Sequence, residues 1–530
     1  MTNADAAPVA GASNRNWKPA LVPFAAALLV LSGSFANFLS YHDYPALRGE
    51  VAIILALFAA IAALFAAAHR GASDFAKALL DGFLVYLAVD LNSDLVLAAA
   101  GAALAVAFLR LGRGISLLEP LAIIALVVLA SSFTGLSERR APIASVRSEA
   151  VRPAHDRPAV VHLILDEHGG TGGSADRQFR QRLSDFYTSR GFRLFDRAYS
   201  RHFHTVNAIP DVLNFGSPGE SRNVDETLDI GRTAYLSRFE KDGYALNIYQ
   251  SDFADFCRYA PTASCTTYWS PSMSFLEDRP LPAREKARLL GMKFLALSQL
   301  SLAIIDTIDD ITRWAPIKQA GVPVMAPKER AVSNSIGGFA ILERMTADLK
   351  EARPGHVYFA HVLAPHYPYA FDGQCRLIPP SGWEYRRSSR PVEARTAAYQ
   401  QQVGCLLERL DKLLAAFGSS PGGSNGIVVV HGDHGSRVTD VEPGEWNRGK
   451  ITPRDFMAGY STLFAVKAPG IAGGIEPDPY PTPAILKRLS DTKFTSVAGI
   501  PPGPGTVYLD GLNWTVGSPA SLAEAWPAGN

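Results

Sequence analysis

No charge of either sign dominates this sequence. Lys and Arg number 51 against 50 Asp and Glu over 530 residues, so nothing in the balance points to nucleic acid as a partner. Cysteine is scarce: Cys257, Cys265, Cys375 and Cys405 are the full set, all in the later part. An even number confined there suits disulfides in an oxidising compartment, with unrelated core thiols as the alternative. Internal repeats and long low-complexity tracts are absent, which excludes a repeat architecture. A cleavable signal peptide is disfavoured, because the first apolar run is long and more follow it.

What is present is unevenly placed. A mean hydropathy of +0.06 conceals a strongly apolar stretch before residue 137. Residues 20–40, 50–69, 75–91, 93–110 and 115–135 form five apolar runs, and a helix crossing hydrocarbon needs about 20 such residues. Five spans are expected, four being the alternative, since the third and fourth runs are short and only "DLNSD" parts them. Arg15, Lys18, Arg70, Lys77, Arg110 and Arg113 lie on alternate loops, and the intervening loops offer only Arg48. This bias puts the N-terminus in the cytoplasm and, after an odd number of spans, the remainder outside. Asp81 and Asp90 read as residues near helix ends or a bundle interface. The expected organisation is a tail over 1–17, a transmembrane helical bundle over 18–137, a linker over 138–158, a catalytic domain over 159–470, and a Pro- and Gly-rich segment over 471–530. That last segment is expected to pack on the catalytic domain as irregular structure.

Beyond the linker, short apolar runs at 159–166, 245–250, 356–363, 426–433 and 461–468 alternate with helical patterns, notably 334–352 and 393–417. The alternation predicts an α/β domain with a mostly parallel sheet covered by helices, and ligands bind beyond the carboxyl ends of such strands. Polar clusters stand at those ends: Asp166, Glu167 and His168; His361 and His366; His431, Asp433 and His434. Imidazoles grouped with carboxylates favour a metal site, zinc or manganese by ligand type. Gly432 and Gly435 bracket the Asp433–His434 pair and are expected to bend the backbone so that both side chains reach one point. In "YSRHFHTVNAIPDVLNFG" (199–216) Thr205 precedes a helical stretch in which Pro210 suits the first turn. Its hydroxyl is either a coordinated nucleophile or a helix N-cap.

"VVHLILD", the Thr205 segment, "HVLAPHYPY", "HGDHGSR" and "YSTLFAVKAPG" together resemble the sulfatase-like branch of the alkaline phosphatase superfamily. Its membrane members include lipoteichoic acid synthase and the phosphoethanolamine transferases. The resemblance covers roughly 159–470 and implies an alkaline-phosphatase-like α/β/α fold. It implies Asp166, Thr205, Asp433 and His434 as metal ligands, Thr205 as nucleophile, and His366 as the contact to the transferred group or its leaving oxygen. Glu167, His361, His202 and His204 remain candidates for further metal or phosphate contacts. The resemblance also implies disulfides Cys257–Cys265 and Cys375–Cys405, where sequence alone permits three connectivities. No cysteine or serine stands in the C/S-x-P-x-R setting that formylglycine sulfatases require, so sulfate-ester hydrolysis by that route is not expected.

The expected activity is a metal-dependent phosphotransferase at the cytoplasmic (inner) membrane, its catalytic domain on the extracytoplasmic, periplasmic side. It would move a phospho-substituent from a lipid headgroup to a glycan or lipid acceptor through a threonine-bound intermediate. A hydrolase of the same superfamily is the alternative. The expected cofactor is a divalent ion, zinc or manganese, with magnesium and calcium as further options.

Overall fold

The computed structural model describes residues 18–93, 95–134, 139–148, 153, 156–217, 222–224, 227–258, 262–298, 334–385, 390–503 and 505–522. The expected tail over 1–17 lies outside the described residues, but most of the expected linker over 138–158 is described, and its residues Ile143–Arg147 form a strand of the sheet instead of a linker. The chain divides into two compact units, residues 1–139 with 283–327, and residues 140–282 with 328–530.

The first unit is helical: α1 (Lys18–Tyr41), α2 (Gly49–Gly71), α3 (Asp74–Asp90), α4 (Val96–Arg113) and α5 (Leu118–Thr134). Five helices form at the five apolar runs, but among the described residues only Ala20–Tyr41 and Gly49–Gly71 are long and apolar enough to cross a membrane. The expectation of about five spans is corrected accordingly. α3 and α5 have 17 residues each, about 25 Å at 1.5 Å per residue, against a hydrocarbon core of ~30 Å. α4 has 18 residues but carries Arg110 and Arg113 in its last turn.

Small residues let these helices approach. Ala26, Ala27, Ala62 and Ala125 pack with Val30, Leu84 and Leu118. Outward faces are apolar: Leu64 is 72% exposed, Leu104 72%, Phe108 76% and Ile123 63%. Asp81 is fully buried and joins several helices: its carboxylate takes hydrogen bonds from Arg110 Nη1 at 2.8 Å and Ser116 Oγ at 3.3 Å, and meets His69 Nε2 at 3.0 Å. Asp90 accepts from Ser298 at 2.7 Å. The unit also takes in a helix from the middle of the later sequence, α9 below, whose Phe294 ring packs against Phe35, Phe38 and Phe58.

The second unit is built on a nine-stranded sheet. Its strands are β1 (Ile143–Arg147), β2 (Val160–Leu165), β3 (Arg193–Tyr199), β4 (Ala245–Ser251), β5 (Thr262–Tyr268), β6 (His356–Val362), β7 (Ile427–Gly432), β8 (Phe464–Lys467) and β9 (Gly474–Pro481). Spatial order is β1-β5-β4-β6-β2-β7-β8-β3-β9. The run β5-β4-β6-β2-β7 is parallel throughout, and β1 and β8 run antiparallel to their neighbours. The intervening helices are α6 (Arg177–Thr188), α7 (Thr205–Leu213), α8 (Ala234–Lys241), α9 (Ala283–Leu295, in the first unit), α10 (Asn334–Leu349), α11 (Val392–Gly418), α12 (Pro453–Tyr460) and α13 (Thr482–Asp491). Every residue of β2 and β7 is buried, as expected of parallel strands covered on both faces. On one face Val160, Ile164, Val429 and Phe359 pack against Ile209 of α7, Phe239 of α8 and Leu486 of α13.

The final segment departs from expectation. Instead of irregular wrapping, β9 adds a parallel edge strand beside β3, and β10 (Thr506–Asp510) with β11 (Val516–Ser521) forms a hairpin. Pro477, Pro479 and Pro481 are tolerated in β9 because an edge strand has one side without ladder bonds. The two disulfides are Cys257–Cys265 and Cys375–Cys405.

Removing one partner of a buried ion pair leaves the other uncompensated, at a cost of ~3–5 kcal/mol. Asp81→Ala is therefore expected to lower the thermal midpoint of the detergent-solubilised chain markedly. An unchanged midpoint would show that the cluster does not hold the helices together.

Candidate metal centre

The register of the sheet assembles the site. Gly432 of β7 pairs with Leu165 of β2, so the next residues out, Asp433 and Asp166, stand side by side. His361 pairs with Ile164 across the β2–β6 ladder, and period-two alternation puts His361, Asp166 and Asp433 on one face. α7 begins at Thr205 on the same side. Thr205 Oγ1 lies 3.4 Å from Asp166 Oδ2 and 3.2 Å from His434 Nε2. His434 Nε2 is 3.1 Å from Asp433 Oδ2 and 3.7 Å from Asp166 Oδ1. Four side chains from three separate stretches of sequence thus converge.

Thr205 is not an N-cap. His204 holds that position and makes no capping bond with its side chain, so the Thr205 hydroxyl is left for the acid–imidazole group. Pro210 sits inside α7 rather than in its first turn. Gly432 and Gly435 are glycine for a reason other than the expected bend, since neither has a positive φ. A Cβ on Gly432 would lie 2.3 Å from the His168 carbonyl oxygen, and one on Gly435 2.3 Å from that of Ala458. Close backbone approach, not conformational freedom, requires them.

The donor set fits a divalent cation. Asp166, Asp433 and His434 are 2% exposed or less, and their ligand atoms all lie within 4.8 Å of one another. Asp166 Oδ1 and Asp433 Oδ2 are buried without a hydrogen-bond partner, although an unpartnered buried carboxylate costs several kcal/mol. Burial, then the neighbouring Asp433 charge, pushes the Asp166 carboxyl well above its usual range. Burial opposes charge on Asp433 too, but His434, His361 and Arg437 overcome it and hold that carboxyl low. His434 Nδ1 lies 2.9 Å from the Gly435 carbonyl oxygen. A carbonyl only accepts, so Nδ1 carries the proton and Nε2 presents a lone pair to the carboxylates. Burial lowers the His434 pKa to about 3, keeping the ring neutral. Two carboxylates, a neutral imidazole and a hydroxyl are a ligand set for zinc or manganese.

The other candidates divide. His361 faces the group, its Nε2 3.8 Å from Asp166 Oδ2, and both ring nitrogens lack hydrogen-bond partners. Burial lowers its pKa to about 4. Glu167, whose φ is 66°, directs its carboxylate to Arg437, whose Nε lies 3.0 Å and Nη2 2.5 Å from Oε1, and its ligand atom also lies within 4.8 Å of those of Asp166 and His366. Tyr399 fixes this turn, its hydroxyl donating to the Glu167 carbonyl oxygen at 2.9 Å and accepting from Gly169 N at 2.8 Å. His202 is not brought in; it stacks on Tyr508 and its Nε2 is 3.9 Å from Asp211. His204 bonds Asp510 at 2.8 Å and Arg437 at 3.1 Å. Arginine only donates, so His204 Nδ1 accepts and Nε2–H is given to Asp510. His204 thus faces Asp510 rather than the Asp166–Asp433 pair, and its ligand atom lies within 4.8 Å of those of Glu442 and Asp510. His162 and His431 lie within the sheet core, bonded to Tyr235 and to the Gly432 carbonyl.

A cavity of about 500 Å³ opens on the site, lined by Asp166, Thr205, His366, Arg437, Trp269 and Trp514 among others. His366 Nδ1 is 2.6 Å from the Tyr367 carbonyl oxygen, so Nδ1 is the donor there and Nε2 is the atom that can exchange a proton. Arg437, which closes the motif "HGDHGSR", lines this cavity, and sequence pattern alone does not single it out.

No protein-family model and no curated protein matches the chain. Among solved structures it is similar to the C-terminal periplasmic domain of EcEptC from Escherichia coli, at 12% identity and a TM-score of 0.40, covering 73% of this chain and 98% of that one. It is similar to a 2-O GAG sulfatase at 15% identity and 0.39, covering 71% and 75%. A protein in the alkaline phosphatase superfamily from Vibrio parahaemolyticus stands at 11% and 0.37, covering 69% and 76%. A sulfatase and an alkaline phosphatase superfamily protein are thus among the structures this chain is similar to. Likenesses at this level carry no weight for the chemistry, which rests on the site.

Asp433→Ala removes a ligand oxygen and is expected to lower bound metal from near-stoichiometric to a small fraction, read by elemental analysis of the purified chain. Unchanged stoichiometry contradicts its role. Gly432→Ala forces a methyl against the His168 carbonyl and is expected to cost ~1–3 kcal/mol by overpacking, read as a lower denaturation midpoint. An unshifted midpoint would contradict the close-approach account.

Proposed function

We propose that the chain is a membrane-anchored, metal-dependent phosphotransferase, moving a phospho-substituent from a lipid headgroup to a glycan or lipid acceptor. The observation that carries this reading is the meeting of the Thr205 hydroxyl with two buried carboxylates and a lone-pair-bearing imidazole. A hydroxyl so surrounded is a nucleophile awaiting activation rather than a structural group.

Asp166, Asp433, His434 and Thr205 would hold a divalent ion. When bound, it would favour the Thr205 alkoxide and offset charge on the non-bridging phosphoryl oxygens. Thr205 Oγ1 attacks phosphorus, its proton leaving to solvent, and the Oγ1–P bond forms as the bond to the leaving alcohol oxygen breaks. His366 Nε2, on the cavity wall, gives that oxygen its proton. In the second half the acceptor hydroxyl gives its proton back to His366 and takes the phosphoryl group, which frees Thr205.

The apolar outward faces of the helical unit, with Leu64, Leu104 and Phe108 more than two thirds exposed, support residence in lipid, because a water-exposed bundle rarely presents so much apolar surface. Two disulfides in the α/β unit support an oxidising, extracytoplasmic side. A multi-pass anchor in the cytoplasmic membrane would keep the site beside its lipid donor.

Incubating the metal-loaded chain with head-group-labelled phospholipid is expected to give a labelled protein by intact-mass spectrometry. Thr205→Ala should lose the adduct completely while retaining metal. An adduct that persists in Thr205→Ala retires Thr205 as nucleophile, and label released only to water replaces transfer with hydrolysis.

A further inference from the structure

Arg437 is an unusual residue in its place. It is buried, its backbone is left-handed with φ of 55°, and its guanidinium lines the cavity beside Thr205. Such a backbone is unfavourable for a residue with a side chain and persists only where surrounding contacts over-determine it. Those contacts are specific. The main-chain N–H bonds the Ala458 carbonyl at 3.0 Å. Nε–H and one Nη2–H bond Glu167 Oε1, and one Nη1–H bonds His204 Nδ1 at 3.1 Å. His204 Nε2–H in turn donates to Asp510 Oδ2 at 2.8 Å. Three of five N–H groups are so engaged, and the remaining two belong to Nη1 and Nη2.

We propose that Arg437 is an oxyanion-binding residue of the cavity, and that the carboxyl-terminal hairpin aims it through the chain Asp510–His204–Arg437, opposite the Glu167 anchor. The two unengaged N–H groups present a fork suited to two oxygens of a tetrahedral anion. Asp510 is a positioning residue. It accepts the Nε2 proton of His204 and thereby keeps Nδ1 unprotonated toward the guanidinium. Without that acceptor the imidazole can hold its proton on Nδ1, where it opposes an arginine N–H and releases one side of the fork. Main-chain and side-chain bonds hold the hairpin in this position. Asp510 N bonds the Pro443 carbonyl at 2.9 Å, Tyr508 N bonds that of Arg201 at 2.8 Å, and Asn207 of α7 bonds the Trp514 carbonyl at 2.8 Å. The last bond ties the hairpin to the helix that begins at Thr205.

The proposal takes its ligand class from the phosphoryl-transfer reading, but its test needs no turnover. The probe is inorganic phosphate, titrated calorimetrically into the full-length, metal-loaded, detergent-solubilised chain, with bound metal measured in each variant. Arg437→Lys, which keeps a positive charge for Glu167 but loses the fork, is expected to weaken phosphate binding at least tenfold with metal content unchanged. Asp510→Ala should weaken it several-fold, and Asp510→Asn, whose amide oxygen can still accept from His204, should recover most of the loss. A purely structural hairpin would not distinguish Asn from Ala in this way. Phosphate affinity equal to wild type in Arg437→Lys overturns the proposal, as does a wild-type chain that binds no phosphate; equal loss in both Asp510 variants overturns the aiming role. Phosphate binding that depends on Arg437, in a chain that forms no Thr205 adduct, would retire the transferase reading and leave this one standing.

Discussion

Two carboxylates buried next to each other cannot both stay charged in a low-dielectric interior without a compensating positive charge. Asp166 and Asp433 are in that position because adjacent parallel strands end in register, Leu165 opposite Gly432. The nearby imidazoles that could supply charge, His434 and His361, are both held neutral by burial. Arg437 is committed to Glu167. A divalent cation would resolve the imbalance, and the bare oxygens Asp166 Oδ1 and Asp433 Oδ2 are where it would be met. The rest of the site is arranged around that requirement, including the start of α7, which delivers a hydroxyl instead of a cap.

Around this centre the fold divides positive charge between two places. A cation at the acid pair would act on the attacking oxygen, while the guanidinium on the cavity wall would act on the oxygens that do not move. Glu167 makes this separation workable. At the left-handed residue just beyond Asp166, Glu167 pairs with Arg437 while keeping a ligand atom within 4.8 Å of Asp166 and His366.

Much of this was legible in sequence. Asp433 and His434 follow a continuous β-branched run, a local pattern that survives folding unchanged, and the five apolar runs at 159–166, 245–250, 356–363, 426–433 and 461–468 all became strands. What was not legible depends on distant partners. Glu167 and Arg437 are far apart in the chain, and nothing local to either reveals the pairing; the choice between Asp166 and Glu167 as ligand was open for the same reason. His204 and His202 look alike in sequence, and only their contacts with Asp510 and with Tyr508 separate them. β9 was hidden by its prolines, which an edge strand accepts and a pattern of alternation does not show. The apolar runs of the helical unit suggest five spans, whereas among the described residues two helices are long and apolar enough to cross a membrane. The return of α9 to that unit, through Phe294, had no sequence signal at all.

The central claim is that one cation joins Asp166, Thr205, Asp433 and His434. Its most direct test is diffraction from zinc-loaded crystals on either side of the zinc absorption edge. The account predicts a single strong anomalous peak about 2.0–2.3 Å from a side-chain atom of each of the four residues. A peak that leaves Thr205 Oγ1 outside bonding distance, or one that falls elsewhere in the α/β unit, would contradict it.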